Sequence, residues 1–341
     1  MQAVRLNAFG SVDNFEVVDL PEPQAGPGEF RVKVEYSGLR WGDITQRRGN
    51  LKVGNQPPLI GGLEVAGRID QVGEGAAGYE LGQRVMAAVP EGGFAEYVVI
   101  RPDGIGTNVW PIPENVASEK MLAYPVNMLT AYHAVYTWAD VQDGETVLVH
   151  AATGGIGLLI VQILKRRFKN VTVVGICSSP EKAELLLANG CDHAVNRKTT
   201  DYVEEINRVL GPKATGFNAG GDLGGGVDVS FNGISGETIE KDLQVIRKRG
   251  RLVIYGFQGG DKMPVVDTDL VTYDSITVMP FSQVAWRDTP QAQAADKFID
   301  EWLRTEDLIE PEIWPLSKVA EAENAFEDGR ATGKVVFAAS A

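Results

Sequence analysis

The segment TVLVHAATGGIGLLIVQIL, residues 146–164, constrains the fold of this chain more than any other. An apolar run leads into a turn of small residues and then into apolar residues at helical spacing, which predicts a strand, a tight turn and a helix. The turn follows a dinucleotide-binding fingerprint whose first glycine is replaced by alanine: Ala152, Thr153, Gly154, Gly155, Ile156 and Gly157. Such a turn lets backbone amides approach a pyrophosphate at the positive end of the following helix. A purely structural turn is the alternative.

Further strands and helices alternate around this turn. The apolar runs VTVVGIC, HAVN, VDVSFNG and RLVIYG are separated by helix-length segments such as PEKAELLLANG and TIEKDLQVIRKRG. The alternation predicts an α/β domain with a doubly wound parallel sheet over residues 125–270. Residues 1–124 contain mainly strands and turns, and the closing GKVVFAA strand is predicted to return to them. We therefore expect a discontinuous β domain formed by residues 1–124 and 271–341.

Three compositionally biased stretches accompany this pattern. The basic runs at residues 165–169 and 247–251 are interpreted as solvated helix ends, where cations complement the helix dipole. The glycine-rich stretch at residues 215–226 does not lead from a strand into a helix. It is predicted to be a long mobile loop rather than a phosphate cradle.

Charge and cysteine content limit the possible partners. The 341 residues carry 32 Lys and Arg against 46 Asp and Glu, a formal net charge of −14, which disfavours nucleic acid and anionic membranes as partners. Two cysteines and three histidines are too few for a disulfide framework or a multi-cysteine zinc site, which favours a cytoplasmic setting. No signal-peptide pattern and no run of about 18 apolar residues appears, so neither secretion nor a membrane span is expected.

The residues that follow the second strand indicate which dinucleotide would bind. A site that prefers NAD places Asp or Glu about 20 residues after the glycines, where this chain has Ser178 and Ser179. These hydroxyls, with Lys182 and Arg197, suit a 2′-phosphate, so NADPH is favoured over NADH. Ser179 can also cap the helix that begins at Pro180, with Lys182 solvated. The two interpretations are compatible, because a helix start is also an anion site.

The order of segments resembles that of a known superfamily over essentially the whole chain. The similar segments are SGLRWGDITQRRG, PPLIGGLEVAGRIDQVGEG, GGFAEYVVI, NMLTAYHAV, VLVHAATGGIG and ATGKVVF. They resemble the medium-chain dehydrogenase/reductase superfamily. Within it, the chain is most similar to the zinc-independent quinone oxidoreductase branch and to the subgroup that includes the vesicle amine transport protein homologues. The resemblance implies a GroES-like substrate domain at 1–124 and 271–341 and a Rossmann NADPH-binding domain at 125–270.

The resemblance also implies the metal content and part of the cofactor site. Arg40, Leu63 and Val126 stand where zinc-dependent relatives place ligands, so a zinc-free site is implied. Further residues would line the cofactor by resemblance: Thr130, Tyr255, Gly256, Phe257 and Lys334. Thr130 has the alternative of only capping a helix, and Lys334 that of only flanking an edge strand.

Candidate catalytic residues follow from a departure from the family pattern. Arg40 stands where quinone oxidoreductases usually carry asparagine, whereas Asp43 is retained. A guanidinium there would polarise a substrate carbonyl or bind an anionic group, and an exposed Arg40–Asp43 ion pair is the alternative. Tyr124 is a candidate proton donor to an enolate, or a buried contact between domains. His150 is interpreted as a packing residue, with a general acid as the alternative.

Together these features predict an enzyme, a zinc-independent and NADPH-dependent reductase. Its substrate would be a small molecule, a quinone or an α,β-unsaturated carbonyl compound, to which hydride is transferred. A homodimer through the exposed edge strand near residues 275–281 is expected from the relatives. The first alternative is a nucleotide-binding regulatory or vesicle- and lipid-associated protein with little turnover. The second is an enoyl-thioester reductase or a tailoring enzyme of secondary metabolism.

Overall fold

The computed structural model describes residues 1–51, 56–104, 106–214, 224–259, 268–286 and 289–339. The strands of these residues are β1 Gln2–Leu6, β2 Phe15–Asp19, β3 Phe30–Leu39, β4 Leu59–Ile60, β5 Glu64–Val72, β6 Arg84–Ala88, β7 Tyr97–Ile100, β8 Asn108–Pro111, β9 Thr146–Val149, β10 Thr172–Cys177, β11 His193–Asn196, β12 Val227–Asn232, β13 Ile246–Ile254, β14 Thr277–Pro280, β15 Glu312–Pro315 and β16 Val335–Ala338. The helices are α1 Trp41–Arg47, α2 Ser118–Met121, α3 Pro125–Tyr132, α4 Gly155–Arg167, α5 Pro180–Ala188, α6 Tyr202–Leu210, α7 Thr238–Val245, α8 Thr268–Asp274, α9 Pro290–Thr305 and α10 Val319–Glu327.

The chain forms two compact units. Unit 1 comprises Met1–Val126 and Ile299–Ala341, and unit 2 comprises Asn127–Phe298. The first boundary lies close to the expected position between residues 124 and 125. The second lies at 298/299 instead of 270/271, because β14 pairs in parallel with β13 and so extends the sheet of unit 2 beyond residue 270.

Unit 2 contains the predicted doubly wound sheet. Its six strands lie in the order β11-β10-β9-β12-β13-β14, and every neighbouring pair is parallel. The strand order reverses between β9 and β12, and ligands of such sheets bind beyond the carboxyl ends of the strands at this point. The turn that follows β9 therefore lies where a dinucleotide would be expected.

One basic run is a helix end, as predicted, and the other is not. Helix α4 ends at Arg167, with cations throughout its last turn. The run at residues 247–251 instead belongs to β13, because α7 already ends at Val245. Its arginines find acidic partners on neighbouring elements: Arg247 pairs with Asp228 and Arg251 pairs with Glu145. The interpretation of this run as a solvated helix end is wrong, because it lies in β13, where Arg251 pairs in register with Val229 and Thr277.

Unit 1 is a β domain closed by the end of the chain. A seven-stranded sheet has the order β15-β16-β3-β5-β6-β8, with β7 also paired to β3, and a second sheet has the order β2-β1-β4. The predicted closing strand is β16, which pairs antiparallel with β3. Most of the predicted glycine-rich loop, residues 215–223, lies outside the described residues. None of the helices in the described ranges has both the length and the apolar character to cross a membrane.

Candidate functional site

The turn between β9 and α4 is shaped by small residues. Ala151 adopts a left-handed conformation with φ of 46°, and the amide of Ala152 donates to the carbonyl of Ile176 at 3.1 Å, which holds the turn against β10. A Cβ on Gly157 would lie 2.8 Å from Cα of Ala152, so only glycine lets α4 begin this close to the turn. Gly154 is the N-cap and offers no side chain to the first amides of α4. The turn therefore leaves these amides available to an anion.

The ends of β10 and β11 bring two predicted cofactor residues together. Cys177 and Asn196 are register partners, so the following residues, Ser178 and Arg197, leave adjacent strands side by side. The amide of Arg197 also donates to the carbonyl of Cys177 at 3.1 Å. An exposed guanidinium thus lies at the point where an NAD-preferring site would place a carboxylate.

Ser179 has the capping role that the sequence allowed. It is the N-cap of α5, and its Oγ accepts from the amide of Lys182 at 3.3 Å. The Ser179 hydroxyl also lowers the pKa of Glu181 by hydrogen bonding to its carboxylate. Because the Ser179 hydroxyl already has partners, Ser178 and Arg197 are the better placed groups for a phosphate.

A pocket of about 410 Å³ adjoins this edge of the sheet in unit 2. Its lining residues are mainly charged or hydroxyl-bearing: Arg197, Lys198, Thr199, Thr200, Asp201, Tyr202, Glu237, Thr238 and Lys241. Nζ of Lys241 pairs with Asp201 at 2.7 Å, so this cation is already balanced. The sequence analysis missed Lys198 and Lys241. The only sequence signal for Lys198 is the polar run KTTD after β11, and nothing in the sequence points to Lys241.

The carboxyl ends of β12 and β13 lie against each other. A Cβ on Gly233 would come 2.7 Å from the ring of Tyr255, and a Cβ on Gly256 would come within 3 Å of the carbonyl oxygen of Gly233. These contacts place Tyr255 and Gly256 at the same edge of the sheet as the glycine turn. Phe257 follows them and is 49% exposed. Thr130 lies in α3 and is buried, so its hydroxyl does not face solvent.

A buried polar network fixes the strand ends beside the turn. Asp242 lies at its centre and is bound by His150 Nε2 at 2.7 Å, the Tyr202 hydroxyl at 2.8 Å, the Ser230 hydroxyl at 2.7 Å and Asn232 Nδ2 at 2.8 Å. All of these side chains are buried. This arrangement supports the interpretation of His150 as a packing residue that holds the end of β9 in place.

In unit 1, the start of α1 holds the candidate catalytic residues Arg40 and Asp43. The backbone amide of Arg40 donates to Asp43 Oδ2 at 2.8 Å, and Arg40 Nη2 donates to the carbonyl of Leu63 at 3.1 Å. Asp43 is 2% exposed, so the alternative of an exposed Arg40–Asp43 ion pair does not hold. Within the described residues, Arg40 Nε and Asp43 Oδ1 are buried and have no hydrogen-bond partner. This turn therefore offers one N–H donor and one carboxyl oxygen that the described protein does not satisfy.

Burial dominates the ionisation of Asp43. It raises the pKa of this carboxyl to about 7, although the charge of Arg40 and its backbone amide act in the opposite direction. The negative charge of Glu64 raises the pKa further, and the positive charge of Lys334 lowers it. Asp43 can therefore exchange a proton near neutral pH.

Lys334 and Tyr124 are both held inside unit 1. Lys334 is 2% exposed, forms an ion pair with Glu64 and donates from Nζ to the carbonyl of Leu39 at 3.1 Å. Tyr124 is fully buried, and its hydroxyl accepts from the amide of Ile309 at 2.6 Å. The contact with Ile309 fits the alternative of a buried contact, and a role of Tyr124 in proton transfer stays a prediction.

Comparisons with known proteins agree with this architecture. Residues 26–114 match the family described as alcohol dehydrogenase GroES-like domain, and residues 155–298 match the family described as zinc-binding dehydrogenase. The human synaptic vesicle membrane protein VAT-1 homolog is 28% identical over 99% of this chain and 86% of its own length. Human quinone oxidoreductase is 28% identical over 99% of this chain and 97% of its own length.

Among solved structures, the fold is similar to that of mycobacterial Rv1454c complexed with NADPH. The TM-score is 0.84, the sequence identity is 25%, and the similarity covers 99% of both chains. The fold is therefore shared over nearly the whole chain with a protein whose structure was solved in complex with NADPH.

Proposed function

We propose that this chain, which belongs to the medium-chain dehydrogenase/reductase superfamily, is a zinc-independent reductase that uses NADPH to reduce quinones or α,β-unsaturated carbonyl compounds. The observation that carries the proposal is the turn between β9 and α4. Its uncapped amides and the close approach that Gly157 permits fit a pyrophosphate at the switch point of the sheet. The similarity to human quinone oxidoreductase supports the same reaction class.

The choice of NADPH follows from the ends of β10 and β11. Ser178 and Arg197 emerge side by side, and no carboxylate stands at that point to bind an unphosphorylated ribose. We assign the 2′-phosphate to these two residues, with Lys182 and Lys198 close by in sequence. The NADPH complex of the similar mycobacterial protein supports this choice.

In a zinc-free site, a group other than a metal ion stabilises the negative charge that develops on the carbonyl oxygen of the acceptor. Bound NADPH supplies a hydride to a carbon conjugated to a carbonyl group. In this proposal the guanidinium of Arg40 stabilises the charge that develops on the carbonyl oxygen, since its Nε is buried and has no partner among the described residues. Leu63 and Val126, which stand where zinc-dependent relatives place ligands, offer no ligand atom in their side chains.

We further propose a cytoplasmic homodimer. The two cysteines, Cys177 and Cys191, are free and buried, which suits a compartment where thiols stay reduced. Strand β14 ends the sheet of unit 2 and has only one neighbour, β13, among the described strands. A second copy could pair with this edge and continue the sheet.

The test is a paired titration of the purified chain with NADPH and NADH, followed by NADPH oxidation assays. The acceptors are a quinone, a simple enone and an enoyl thioester, and Gly157→Ala serves as the binding-deficient control. Tight NADPH binding with turnover on a quinone or enone is the expected result. Turnover on the thioester alone would favour the enoyl-thioester reductase.

Two other outcomes would contradict the proposal. Binding of NADPH without turnover on any acceptor would favour the alternative of a nucleotide-binding regulatory or vesicle-associated protein. The similarity to the VAT-1 homolog is the reason to retain this alternative. A preference for NADH would show that Ser178 and Arg197 do not hold a 2′-phosphate.

A further inference from the structure

Unit 1 buries three carboxyl groups that are each left with one unsatisfied oxygen. Asp43 Oδ1, Glu64 Oε2 and Glu323 Oε1 have no hydrogen-bond partner among the described residues. Asp43 is 2% exposed, and the other two residues are fully buried. Burying an ionised oxygen without a donor is costly, so a proton or an internal water molecule is needed at these positions.

One of these groups, Glu323, is bound by an arginine that lies on the same helix as Asp43. Asp43 and Arg47 lie one turn apart on α1, on the same helix face. Arg47 Nε donates to Glu323 Oε2 of α10 at 2.5 Å, so Glu323 is brought to the face of α1 that carries Asp43. This contact joins residues that are 276 positions apart in the sequence.

The row of charges continues from Glu323 to the surface. Glu327 lies one turn further along α10 and pairs with both Arg47 and Arg48. The side chain of Glu327 is 18% exposed and that of Arg48 is 47% exposed. Charged contacts therefore lead from solvent at Glu327 through Arg47 to the buried Glu323, and Asp43 lies one helical turn from Arg47 on α1.

The electrostatics of both carboxyls suit proton exchange near neutral pH. Burial raises the pKa of Glu323 to about 8 and outweighs its ion pair with Arg47, and the nearby charges of Asp43 and Glu327 raise it further. The pKa of Asp43 is raised to about 7, with Arg40, Glu64 and Lys334 as the other charged groups that face it. The charge of Asp43 raises the pKa of Glu323, so an ionised Asp43 disfavours the ionisation of Glu323.

We propose that Asp43 and Glu323 form a proton relay, in which Asp43 protonates the reduced acceptor and Glu323 restores its proton from solvent beside Glu327. This relay rests on the proposed reductase function. Hydride addition moves the π electrons of the conjugated system onto the carbonyl oxygen, giving an enolate. The O–H bond of the Asp43 carboxyl then breaks, and its proton goes to the enolate.

The remaining steps return the relay to its starting state. The Asp43 carboxylate takes a proton from Glu323 through water, and Glu323 takes one from solvent. Per turnover, one NADPH is oxidised, one acceptor is reduced and one proton is consumed from solution. Glu323 does not touch the acceptor and acts through Asp43.

The kinetic test separates hydride transfer from reprotonation. Glu323→Gln removes the exchangeable proton but keeps an oxygen that can accept from Arg47. Glu321→Gln is the matched control, because Glu321 lies two residues earlier on α10 with its side chain 60% exposed. NADPH oxidation by an enone is followed in the first turnover and at steady state, in H₂O and D₂O and across pH.

We expect Glu323→Gln to keep the first-turnover rate of NADPH oxidation and to lower steady-state kcat by about 10²-fold, the scale of a lost proton-transfer step. Its solvent isotope effect on kcat should rise, and its KM for the enone should fall in parallel with kcat, so that kcat/KM stays unchanged. Glu321→Gln should match the wild-type chain in all three quantities. Equal pH profiles of kcat for the two glutamine variants would overturn the relay.

A direct titration is independent of activity. Carbon-13 NMR of the wild-type chain, labelled at Asp and Glu carboxyls, should show two groups that titrate above pH 6. In Asp43→Asn, the Glu323 signal should titrate at lower pH, because a neighbouring negative charge has been removed. Titration of all carboxyls below pH 6 would overturn the relay but not the reductase function. Failure of the wild-type chain to oxidise NADPH with any acceptor would overturn the reductase function, and the relay would then have no catalytic role.

Discussion

Gly157 and Gly154 serve different purposes in one turn. A methyl group on Gly157 would meet backbone atoms of Ala151 and Ala152, which cannot move without shifting α4. We expect Gly157→Ala to lower the free energy of unfolding by about 1–3 kcal/mol, as overpacking does, and to abolish NADPH binding. Urea unfolding and calorimetric titration measure the two effects.

Gly154→Ala provides the matched comparison. The backbone of Gly154 is extended, and a Cβ there would meet only the carbonyl oxygen of Ala151 at 3.2 Å. This variant should weaken NADPH binding with a smaller loss of stability, because the methyl group stands where the pyrophosphate approaches. Wild-type NADPH affinity in both variants would contradict the assignment of the turn.

Arg40 is expected to act on the acceptor rather than on the fold. Arg40→Asn removes the unsatisfied Nε donor, and we expect kcat/KM for an enone to fall by about 10²-fold or more, the loss typical of one oxyanion donor. Arg68→Asn is the control, since Arg68 is an exposed arginine of unit 1 whose side chain is 54% exposed. Steady-state kinetics decide the matter: equal kcat/KM for the two variants would exclude a substrate role for Arg40.

At the scale of elements, the adjacent ends of β10 and β11 should set cofactor preference. Arg197→Ala removes a charged hydrogen bond to the 2′-phosphate, so the Kd for NADPH should rise about 10-fold or more. The Kd for NADH should not change, because NADH carries no phosphate there. Arg208→Ala, an exposed arginine on α6, should change neither constant. Fluorescence titration with both dinucleotides measures the effect, and parallel losses for NADPH and NADH would contradict it.

The sequence predicted the elements whose patterns are local. The strand, turn and helix at 146–164 and the strand HAVN follow from apolar periodicity and small residues, and both are present in the structure. The start of β13 could not be predicted in this way. Residues 247–251 are basic and look solvated, and the acidic partners of Arg247 and Arg251 lie elsewhere in the chain, at Asp228 and Glu145.

The same limit applies to the candidate site. The fingerprint glycines, Ser178 and Arg197 could be identified because the motif and its spacing are local. Ala151 could not, because a left-handed alanine carries no sequence signal. The partnership of Arg47 with Glu323 was equally hidden, since charged residues on two distant helices are ordinarily exposed.

For the whole molecule, the raised carboxyl pKa values predict how stability depends on pH. The folded chain keeps protons on Asp43 and Glu323 up to pH values of about 7 and about 8, whereas the unfolded chain releases them near the ordinary values of 3.8 and 4.5. Their contribution to stability is therefore complete below pH 3.8 and is lost as pH rises to about 8.

Urea unfolding across this pH range measures the effect. The double variant Asp43→Asn and Glu323→Gln should show a flatter dependence of the free energy of unfolding on pH than the wild-type chain. Glu321→Gln should retain the wild-type slope, because its carboxyl is exposed. A double variant with the wild-type slope would show that neither carboxyl holds its proton in the folded chain.

The edge of the sheet of unit 2 should control assembly. If two copies pair through β14, Thr277→Lys places two like charges at the junction and should raise the dissociation constant of the dimer at least about 10-fold. Natural edge strands use lysine in the same way to prevent pairing with another chain. Thr305→Lys, at the end of α9, should have no effect. Light scattering over a dilution series measures the dissociation constant, and a wild-type chain that stays monomeric at micromolar concentration would exclude this dimer.

Because β16 closes unit 1, the first part of this unit stays incomplete while the ribosome synthesises the chain from its N-terminus. Strand β3 and Glu64 emerge first, whereas β16 and Lys334 emerge only after all of unit 2, which can fold as an autonomous insert in the meantime. Until then part of the β3 edge has no partner, and the Glu64 carboxylate has no counter-ion. A nascent chain that stalls before Lys334 is expected to expose that edge to proteases, and pairing of β16 with β3 should remove this exposure.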